Sequence, residues 1–342
     1  MALVVIPCLN ESTHLDGLLH LVRRDGASTL IVVADGGSDD GSQAIVKRHG
    51  LEDPRVLLLN NPAKLQSAGV NLAVSKFQHC AQWLVRMDAH CGYPEEFVSK
   101  LLVAQTKSGA ESVVVPMVTV GHGGFQTGVA AAQNSRLGTG GSAHRHVGQS
   151  TYVDHGHHAL MSIKHFIAAG GYCEEMACNE DAELDHRLGQ NNAKIWLETS
   201  IPLTYFPRKT ASALWRQYFR YGKGRARNVR RHQLPLKPRQ LLPVGVAFAT
   251  ILALLAPIHP IFLFPVMTWL LACAIGGTII GAKSGGGWNF AAAPAAAIMH
   301  LSWGYGFLHE LLTQPRGVEP KFGFKPLLGA EDHIKSVDGQ PT

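Results

Sequence analysis

The first 90 residues alternate short apolar runs with longer segments whose apolar residues recur every three or four positions. Four runs have the length and composition of buried strands: residues 3–7, 30–34, 56–59 and 83–86. The segments between them have the periodicity of helices packed on one face: residues 14–24, 43–49 and 67–77. This alternation predicts an α/β fold with a Rossmann-like, mostly parallel sheet flanked by helices.

The pattern continues less regularly toward residue 200. It predicts helices at residues 94–108, 163–169 and 179–191, strands at 112–120 and 195–197, and renewed order at 152–154. Residues 121–150 are rich in Gly, His and Ser, and we expect a long functional or mobile loop there.

The last third of the chain is organised differently. Residues 207–232 predict one or two basic amphipathic helices in which Trp215, Tyr218, Phe219 and Tyr221 alternate with Arg and Lys, a composition typical of a membrane interface. Three apolar segments follow, at 241–257, 260–281 and 288–312, and the second and third are long enough to cross a bilayer. We expect two or three membrane-embedded helices, with a buried helical subdomain as the alternative.

These segments divide the chain into an α/β domain, interface helices, embedded helices and a tail, at residues 1–207, 208–240, 241–313 and 314–342. Charged residues make up 16% of the sequence, against about 25% in soluble proteins. The net charge of +6 is concentrated in residues 208–239, which contain no Asp or Glu. Such a cluster can bind nucleic acid, phosphates or anionic membranes. Its position before an apolar region favours the membrane and a cytoplasmic α/β domain, and we expect no nucleic acid partner.

Polar residues follow each predicted strand, at the sheet edge where ligands bind in α/β proteins. They are Pro7-Cys8-Leu9-Asn10-Glu11, Asp35-Gly36-Gly37-Ser38-Asp39-Asp40, Lys64, and Asp88-Ala89-His90. Each has an ordinary explanation as well. Asn10 and Glu11 suit a helix cap, Asp35 a turn, and Asp88 with His90 a strand-to-loop turn.

Together, in this order and spacing, the clusters resemble the GT-A glycosyltransferases of family 2, which are inverting enzymes that use nucleotide-sugars. The resemblance covers about residues 2–225. It is greatest to the membrane-bound enzymes that make bacterial exopolysaccharides of the succinoglycan type, in which Asp-Ala-His replaces Asp-x-Asp. It implies a GT-A catalytic domain at residues 1–207 and a multi-pass protein of the cell inner membrane.

The resemblance also implies the donor site. Asp88 and His90 match the metal motif, and a divalent ion such as Mn²⁺ or Mg²⁺ would offset charge on the leaving diphosphate. Imidazole favours Mn²⁺. The implied nucleotide contacts are Pro7, Asn10, Glu11, Asp35, Lys64 and Asp88. Gly36 stands where the family commonly has a second acidic residue, which leaves Asp35 and Asp40 as acidic anchors.

Two later motifs extend the resemblance. Asp181 matches the family's catalytic base, although acidic residues also favour a helix N-terminus. Gln217, Arg220 and Tyr221 match Gln-x-x-Arg-Trp, which holds the diphosphate and acceptor, and Tyr in the Trp place favours single addition over processive synthesis. Asp154 and the Gly156 region match the segment that lines the sugars.

Five histidines, His144, His146, His155, His157 and His158, make a second metal site conceivable, but the family needs none.

The sequence therefore predicts transfer of a hexose from a nucleotide-sugar, expected to be UDP-linked, to a lipid-linked saccharide in exopolysaccharide or cell-envelope glycan synthesis. One alternative is a polyprenyl- or dolichol-phosphate sugar synthase. Another is a sugar-nucleotide-binding subunit of a polysaccharide export complex, against which the presence of both Asp88 and Asp181 argues.

Overall fold

The computed structural model describes residues 2–141 and 148–314. Its strands are β1 (Ala2–Cys8), β2 (Ser28–Asp35), β3 (Val56–Asn60), β4 (Trp83–Arg86), β5 (Ser112–Val115), β6 (Met117–Thr119), β7 (Thr151–Val153), β8 (His157–Ser162), β9 (Ile195–Leu197) and β10 (Leu203–Tyr205). Its α-helices are α1 (Ser12–Asp25), α2 (Ser42–Glu52), α3 (Gln66–Phe77), α4 (Phe97–Ser108), α5 (Phe125–Gln133), α6 (Arg136–Thr139), α7 (Ile163–Ala168), α8 (Glu180–Gln190), α9 (Ala211–Arg231), α10 (Pro238–Leu252), α11 (Phe264–Lys283) and α12 (Ala292–Thr313).

An eight-stranded sheet in the order β3-β2-β1-β4-β8-β5-β9-β7 forms the centre of the α/β domain. Strands β3, β2, β1 and β4 are parallel, whereas β8 runs antiparallel to both of its neighbours, β4 and β5. The predicted α/β architecture is therefore confirmed, with a mixed sheet. Strand β8 was not predicted, because it begins with His157 and His158 and continues directly into α7.

Strand β1 is buried on both faces of this sheet. Its residues Val4 and Ile6 pack with α1 and α4, and the alternate residues Leu3 and Val5 pack with α3 and α7. A strand buried on both faces reads as a continuous apolar run, as residues 3–6 do. This packing fixes the carboxyl end of β1, where the first polar cluster begins.

Two predicted boundaries were wrong for local backbone reasons. The strand expected over residues 112–120 is divided at Pro116, since proline has no N–H to continue the ladder, and β6 pairs with β10 instead. The helix expected from residue 94 begins at Phe97, because Glu96 has a left-handed backbone with φ of 55°.

The segment expected to be a long loop contains helices α5 and α6. Val129 and Ala132 of α5 pack against Ala295 and Met299 of α12, more than 160 positions away in the sequence. This helix therefore depends on a distant partner that local composition does not show. His144 and His146 lie outside the described residues.

The C-terminal helices pack on one another through glycines. A Cβ atom on Gly222 of α9 would lie 2.0 Å from the carbonyl oxygen of Trp303, and one on Gly306 of α12 would lie 2.0 Å from that of Phe219. The two backbones are therefore in direct contact. The basic segment forms one helix, α9, where one or two were expected.

Two stretches are long and apolar enough to cross a membrane, judged by length and composition alone: Pro238–Leu255 and Pro260–Lys283. Only 22% and 11% of them are buried, so a buried helical subdomain does not describe them. The third expected span, residues 288–312, is not one of these by the same test. Helix α12 instead packs much of its surface against α5, α9 and α10. Of the expected tail, only Gln314 lies within the described residues.

Candidate active site

The loops that follow β1, β2 and β3 meet at one edge of the sheet. Cys8 and Asp35 are partners in the β1–β2 register. A Cβ atom on Gly36 would lie 3.4 Å from the Cα of Lys64 and 3.6 Å from the carbonyl oxygen of Cys8. The first three polar clusters are therefore neighbours, as parallel strands require.

The acidic side chains of these clusters are engaged in shaping their own loops. Asp35 accepts hydrogen bonds from the backbone N–H groups of Gly37 and Ser38, at 2.9 and 3.0 Å, and from Gln43 Nε2 at 2.8 Å. Asp40 accepts a bond from the backbone N–H of Ser12 at 2.8 Å, which fixes the start of α1. Both carboxylates therefore hold backbone in place at this edge.

Arg86, the last residue of β4, joins the fourth cluster to α8. Its guanidinium donates to Asp181 Oδ1 at 2.6 Å and lies 3.3 Å from Glu180 Oε1 and 3.4 Å from Asp88 Oδ1. It also donates to Gln66 Oε1 at 3.1 Å. Arg86 is only 5% exposed, so a single buried cation is shared by three carboxylates.

This sharing drives the pKa values of the two α8 carboxylates apart. Burial raises the pKa of Asp181, but the charge of Arg86, helped by His158 and His157, outweighs burial and holds it well below its usual value. Burial and the adjacent Asp181 carboxylate raise the pKa of Glu180. Asp181 is therefore the ionised member of the pair.

A histidine–aspartate network supports this site from β8. His158 Nε2 lies 2.7 Å from Asp185 Oδ1, and its Nδ1 lies 2.6 Å from the Tyr172 hydroxyl and 3.5 Å from Asp181 Oδ1. His155 Nδ1 bonds the second oxygen of Asp185 at 2.9 Å. Asp185 thus orients both histidines toward the start of α8, where they support this end of the site.

Asp88 and His90, which were predicted to bind a divalent metal, follow β4. His90 Nδ1 donates to Glu11 Oε1 at 3.0 Å, which orients the ring, and metal-binding histidines typically have such a partner. His157 lies between the carboxylates, with Nε2 3.8 Å from Asp88 Oδ2 and Nδ1 3.9 Å from Asp181 Oδ2. Among the described residues, Asp88, His90 and His157 do not form a group whose ligand atoms all lie within 4.8 Å of one another, so these side chains would have to move to hold one ion together.

A different group also has metal-ligand composition. Within the described part of the chain, Asp16, His20 and His49 have ligand atoms within 4.8 Å of one another. Arg48 contacts Asp16, and Arg23 Nη1 lies 2.8 Å from His49 Nδ1. The second ring nitrogen of His49, Nε2, therefore carries the proton and donates to Asp16 at 2.8 Å. This group is an ion-pair network on α1 and α2.

Helix α9 fixes the loop that carries the α8 carboxylates. Asn179 Nδ2 donates to the carbonyl oxygen of Tyr221 at 3.0 Å, and Cys178 Sγ donates to that of Arg220 at 2.9 Å. Gln217 donates to the Tyr221 hydroxyl at 3.0 Å, and its buried Oε1 has no partner among the described residues. The motif on α9 and the start of α8 are therefore one unit.

A cavity of about 1020 Å³ collects these groups. Six predicted site residues line it: Asp88, His90, Asp181, Gln217, Arg220 and Tyr221. The other five lie at the neighbouring strand ends and loops instead: Pro7, Asn10, Glu11, Asp35 and Lys64. Of these, Glu11 reaches the site through His90. Asp154, expected to line the sugars, pairs with Lys237, whereas Gly156 does line the cavity.

Several lining residues were not predicted, including Gln66 and Arg86, and His157 was considered only for a second metal site. Arg86 could have been predicted from the sequence, since an arginine inside an apolar strand needs a buried counter-charge.

A mixed α/β sheet with Asp88 and His90 after a central strand, and Asp181 opposite them, is the arrangement of a GT-A sugar-nucleotide transferase. The chain belongs to glycosyl transferase family 2, whose sequence pattern matches residues 3–168. It is 44% identical over 319 residues to the succinoglycan biosynthesis protein ExoA of Rhizobium meliloti (strain 1021), covering 93% of this chain and 97% of that protein.

A solved structure confirms the fold. A mannosyltransferase from Pyrobaculum calidifontis, PcManGT in complex with GDP-Man and Mn²⁺, superimposes with a TM-score of 0.55 at 15% identity. The match covers 92% of this chain and 88% of that one. At this identity the likeness concerns the GT-A fold alone.

Proposed function

We propose that the protein transfers a hexose, with inversion, from a nucleotide-sugar to a lipid-linked saccharide in the synthesis of a succinoglycan-type exopolysaccharide. The observation that carries this proposal is the continuity of the cavity. It extends from Asp88 and Asp181 at the strand edge to Leu242 of α10 and Trp303 of α12. A polar reaction site that opens toward apolar helices suits a hydrophilic donor and an acceptor attached to lipid.

Asp181 acts as the base in this proposal. An inverting transfer is one in-line displacement, in which the acceptor hydroxyl attacks the anomeric carbon while a carboxylate takes its proton. Asp181 is ionised, as its lowered pKa requires, and its Oδ1 is held by Arg86. The other oxygen, Oδ2, is left to receive the proton.

Asp88 and His90, with His157 beside them, would hold a divalent metal that neutralises the leaving nucleoside diphosphate. Gln217 and Arg220 of α9 line the same space and supply further donors to phosphate oxygens. The loops around Asn10, Asp35 and Lys64 form the neighbouring edge, where we place the nucleoside. UDP is the expected carrier.

We place the protein in the inner membrane as a multi-pass protein with a cytoplasmic catalytic domain. The helices α10 and α11 expose large apolar side chains, including Phe248 and Phe264. The basic helix α9 precedes them in the chain, and basic segments remain on the cytoplasmic side. The ExoA relative, which matches nearly the whole chain, supports a role in succinoglycan synthesis.

A transfer assay tests the proposal directly. Membranes that contain the protein are incubated with radiolabelled UDP- and GDP-sugars, with Mn²⁺ or with chelator, and lipid products are identified by mass. We expect label on a lipid-linked saccharide. Label on polyprenyl phosphate itself would instead identify a polyprenyl-phosphate sugar synthase, and donor binding without hydrolysis or transfer would identify a binding subunit.

The variant Asp181→Asn tests the assigned base. Because the amide cannot accept the proton, we expect transfer to fall at least 100-fold, in line with general base catalysis, while nucleotide binding persists. The control is Glu95→Gln, a carboxylate-to-amide change at an exposed position before α4. Transfer by Asp181→Asn within a few-fold of the control would reject the assignment.

A further inference from the structure

The cavity has a second polar end that the donor motifs do not use. It is lined by Arg136 and Gly140 of the α6 region, Arg225 of α9, and Pro238 and Arg239 at the start of α10. Arg225 lies more than one helical turn beyond Tyr221, the last residue of the α9 motif. The motifs assigned to the donor therefore do not account for the residues at this end.

One of its arginines, Arg225, lacks a direct counter-ion among the described residues. Arg225 is partly buried and forms no hydrogen bond or ion pair with any residue that the structure describes. Burial and the neighbouring positive charge of Arg239 lower the pKa of Arg225 to about 10. The carboxylate that opposes this effect, Asp154, also pairs with Lys237. Two guanidinium groups thus repel each other where water is limited.

Such an arrangement is unfavourable unless an anion binds there. Guanidinium groups match phosphate oxygens by paired, charge-assisted hydrogen bonds. Arg239 also lies in the first turn of α10, where the helix dipole favours negative charge. Gly140 allows the close approach, since a Cβ atom there would lie 2.9 Å from the Cβ of Arg239.

The surroundings of the arginine pair are apolar on one side. Leu242 and Pro243 of α10 and Met299 and Trp303 of α12 line the adjoining wall. Leu242 is also half exposed on the outer surface of α10, one of the two helices with the length and composition of a membrane span. The pair therefore lies where a polar cavity meets an apolar surface, so its ligand is an anion attached to an apolar chain.

We propose that Arg225 and Arg239 bind the phosphate or diphosphate group of the lipid that carries the acceptor saccharide. This inference rests on the proposed function, since it specifies the acceptor of that same reaction. The donor diphosphate is held at Asp88 and Arg220, and the lipid phosphate at the opposite end. The saccharide between them then extends along the cavity toward Asp181.

Binding of farnesyl diphosphate tests the site without relying on transfer. The full chain is placed in phosphatidylcholine nanodiscs, and affinities for farnesyl diphosphate, inorganic pyrophosphate, farnesol and UDP are measured by titration calorimetry. The variants are Arg225→Gln and Arg239→Gln. The control is Arg24→Gln, an exposed position on α1. The melting temperature of each variant verifies folding.

We expect each cavity variant to bind farnesyl diphosphate at least 10-fold more weakly, with UDP affinity within two-fold of the unaltered protein. Farnesol and pyrophosphate should bind more weakly than farnesyl diphosphate, since each lacks one half of the recognised chemistry. In the transfer assay, KM for the lipid acceptor should rise while KM for the donor stays constant.

Four results would overturn the inference: unchanged farnesyl diphosphate affinity in both variants, equal affinity for farnesol, displacement by UDP, or equal displacement by phosphatidylglycerol. The last three would indicate an apolar site, the donor site and a general lipid surface, respectively. If the variants lose farnesyl diphosphate binding but no lipid acceptor receives sugar, the anion site stands and the proposed function fails.

Discussion

Removal of the Arg86 side chain is the perturbation with the most definite expected outcome. In Arg86→Met, the buried carboxylates of Asp88, Glu180 and Asp181 lose the cation that they share. Breaking a buried ion pair from one side typically costs about 3–5 kcal/mol, because the remaining charge stays desolvated. At about 2 °C or more per kcal/mol for a domain of this size, the melting temperature should fall by at least about 6 °C at pH 7.

The loss should depend on pH in a defined direction. Asp181 has a lowered pKa in the folded protein, so its contribution to stability is present above the ordinary carboxylate pKa and is lost as the pH falls through the folded value. In Arg86→Met that contribution is absent, and protonation relieves the repulsion between carboxylates. The difference from the unaltered protein should therefore be largest near neutral pH and narrow as the pH approaches 4.

Intrinsic fluorescence during heating, in detergent at several pH values, measures this effect. Arg48→Met is the matched control, because Arg48 pairs with Asp16 on the surface with both side chains about half exposed. Such pairs contribute about 0–1 kcal/mol. The reasoning is refuted if Arg86→Met melts no lower than Arg48→Met, or if its deficit stays constant from pH 7 to pH 4.

Three further outcomes test other parts of the structure. Glu183 is buried among Arg187, Arg231 and His232, and its pKa falls from 4.5 to about 2. Glu183→Gln should therefore lower the free energy of unfolding by about 3 kcal/mol at pH 7. When stability is measured at decreasing pH, this difference should vanish between pH 4.5 and 2. Gly222→Ala should separate α9 from α12 and lower the melting temperature, whereas Gly245→Ala, with nothing within 4 Å, should not; equal melting would contradict the packing. Chelation should abolish transfer and Mn²⁺ restore it, with His90→Ala needing more Mn²⁺ for half-maximal rate; full activity in chelator would eliminate the metal site.

The first half of the fold could be predicted because its signals are local. β1 and β2 differ by one or two residues from the apolar runs that predicted them, since strands buried on both faces contain little else. The position of Asp88 at the sheet edge followed from the same pattern. Asp181, which the resemblance to family 2 singled out, lines the same cavity as Asp88.

The remaining features depend on residues that are far apart in the sequence. Arg86 contacts Asp181 across 95 positions, and helix α5 forms where α12 covers it. The role of His157 was missed for a related reason, because β8 inserts antiparallel between β4 and β5. No local pattern shows which strand lies beside which. The charge balance at Arg225 is likewise set by tertiary structure.

Different parts of the sequence supply different parts of the cavity wall. Groups that we assign to the donor come from the strand edge and α8, whereas Leu242, Met299 and Trp303 come from the helices that follow α9. Recombination within α9 would therefore exchange one half of the reaction's specificity and leave the other intact. Chimaeras of related chains joined there should keep their donor and take the acceptor of the second parent, so enzymes of successive sugar additions can diverge by replacing their carboxyl-terminal helices.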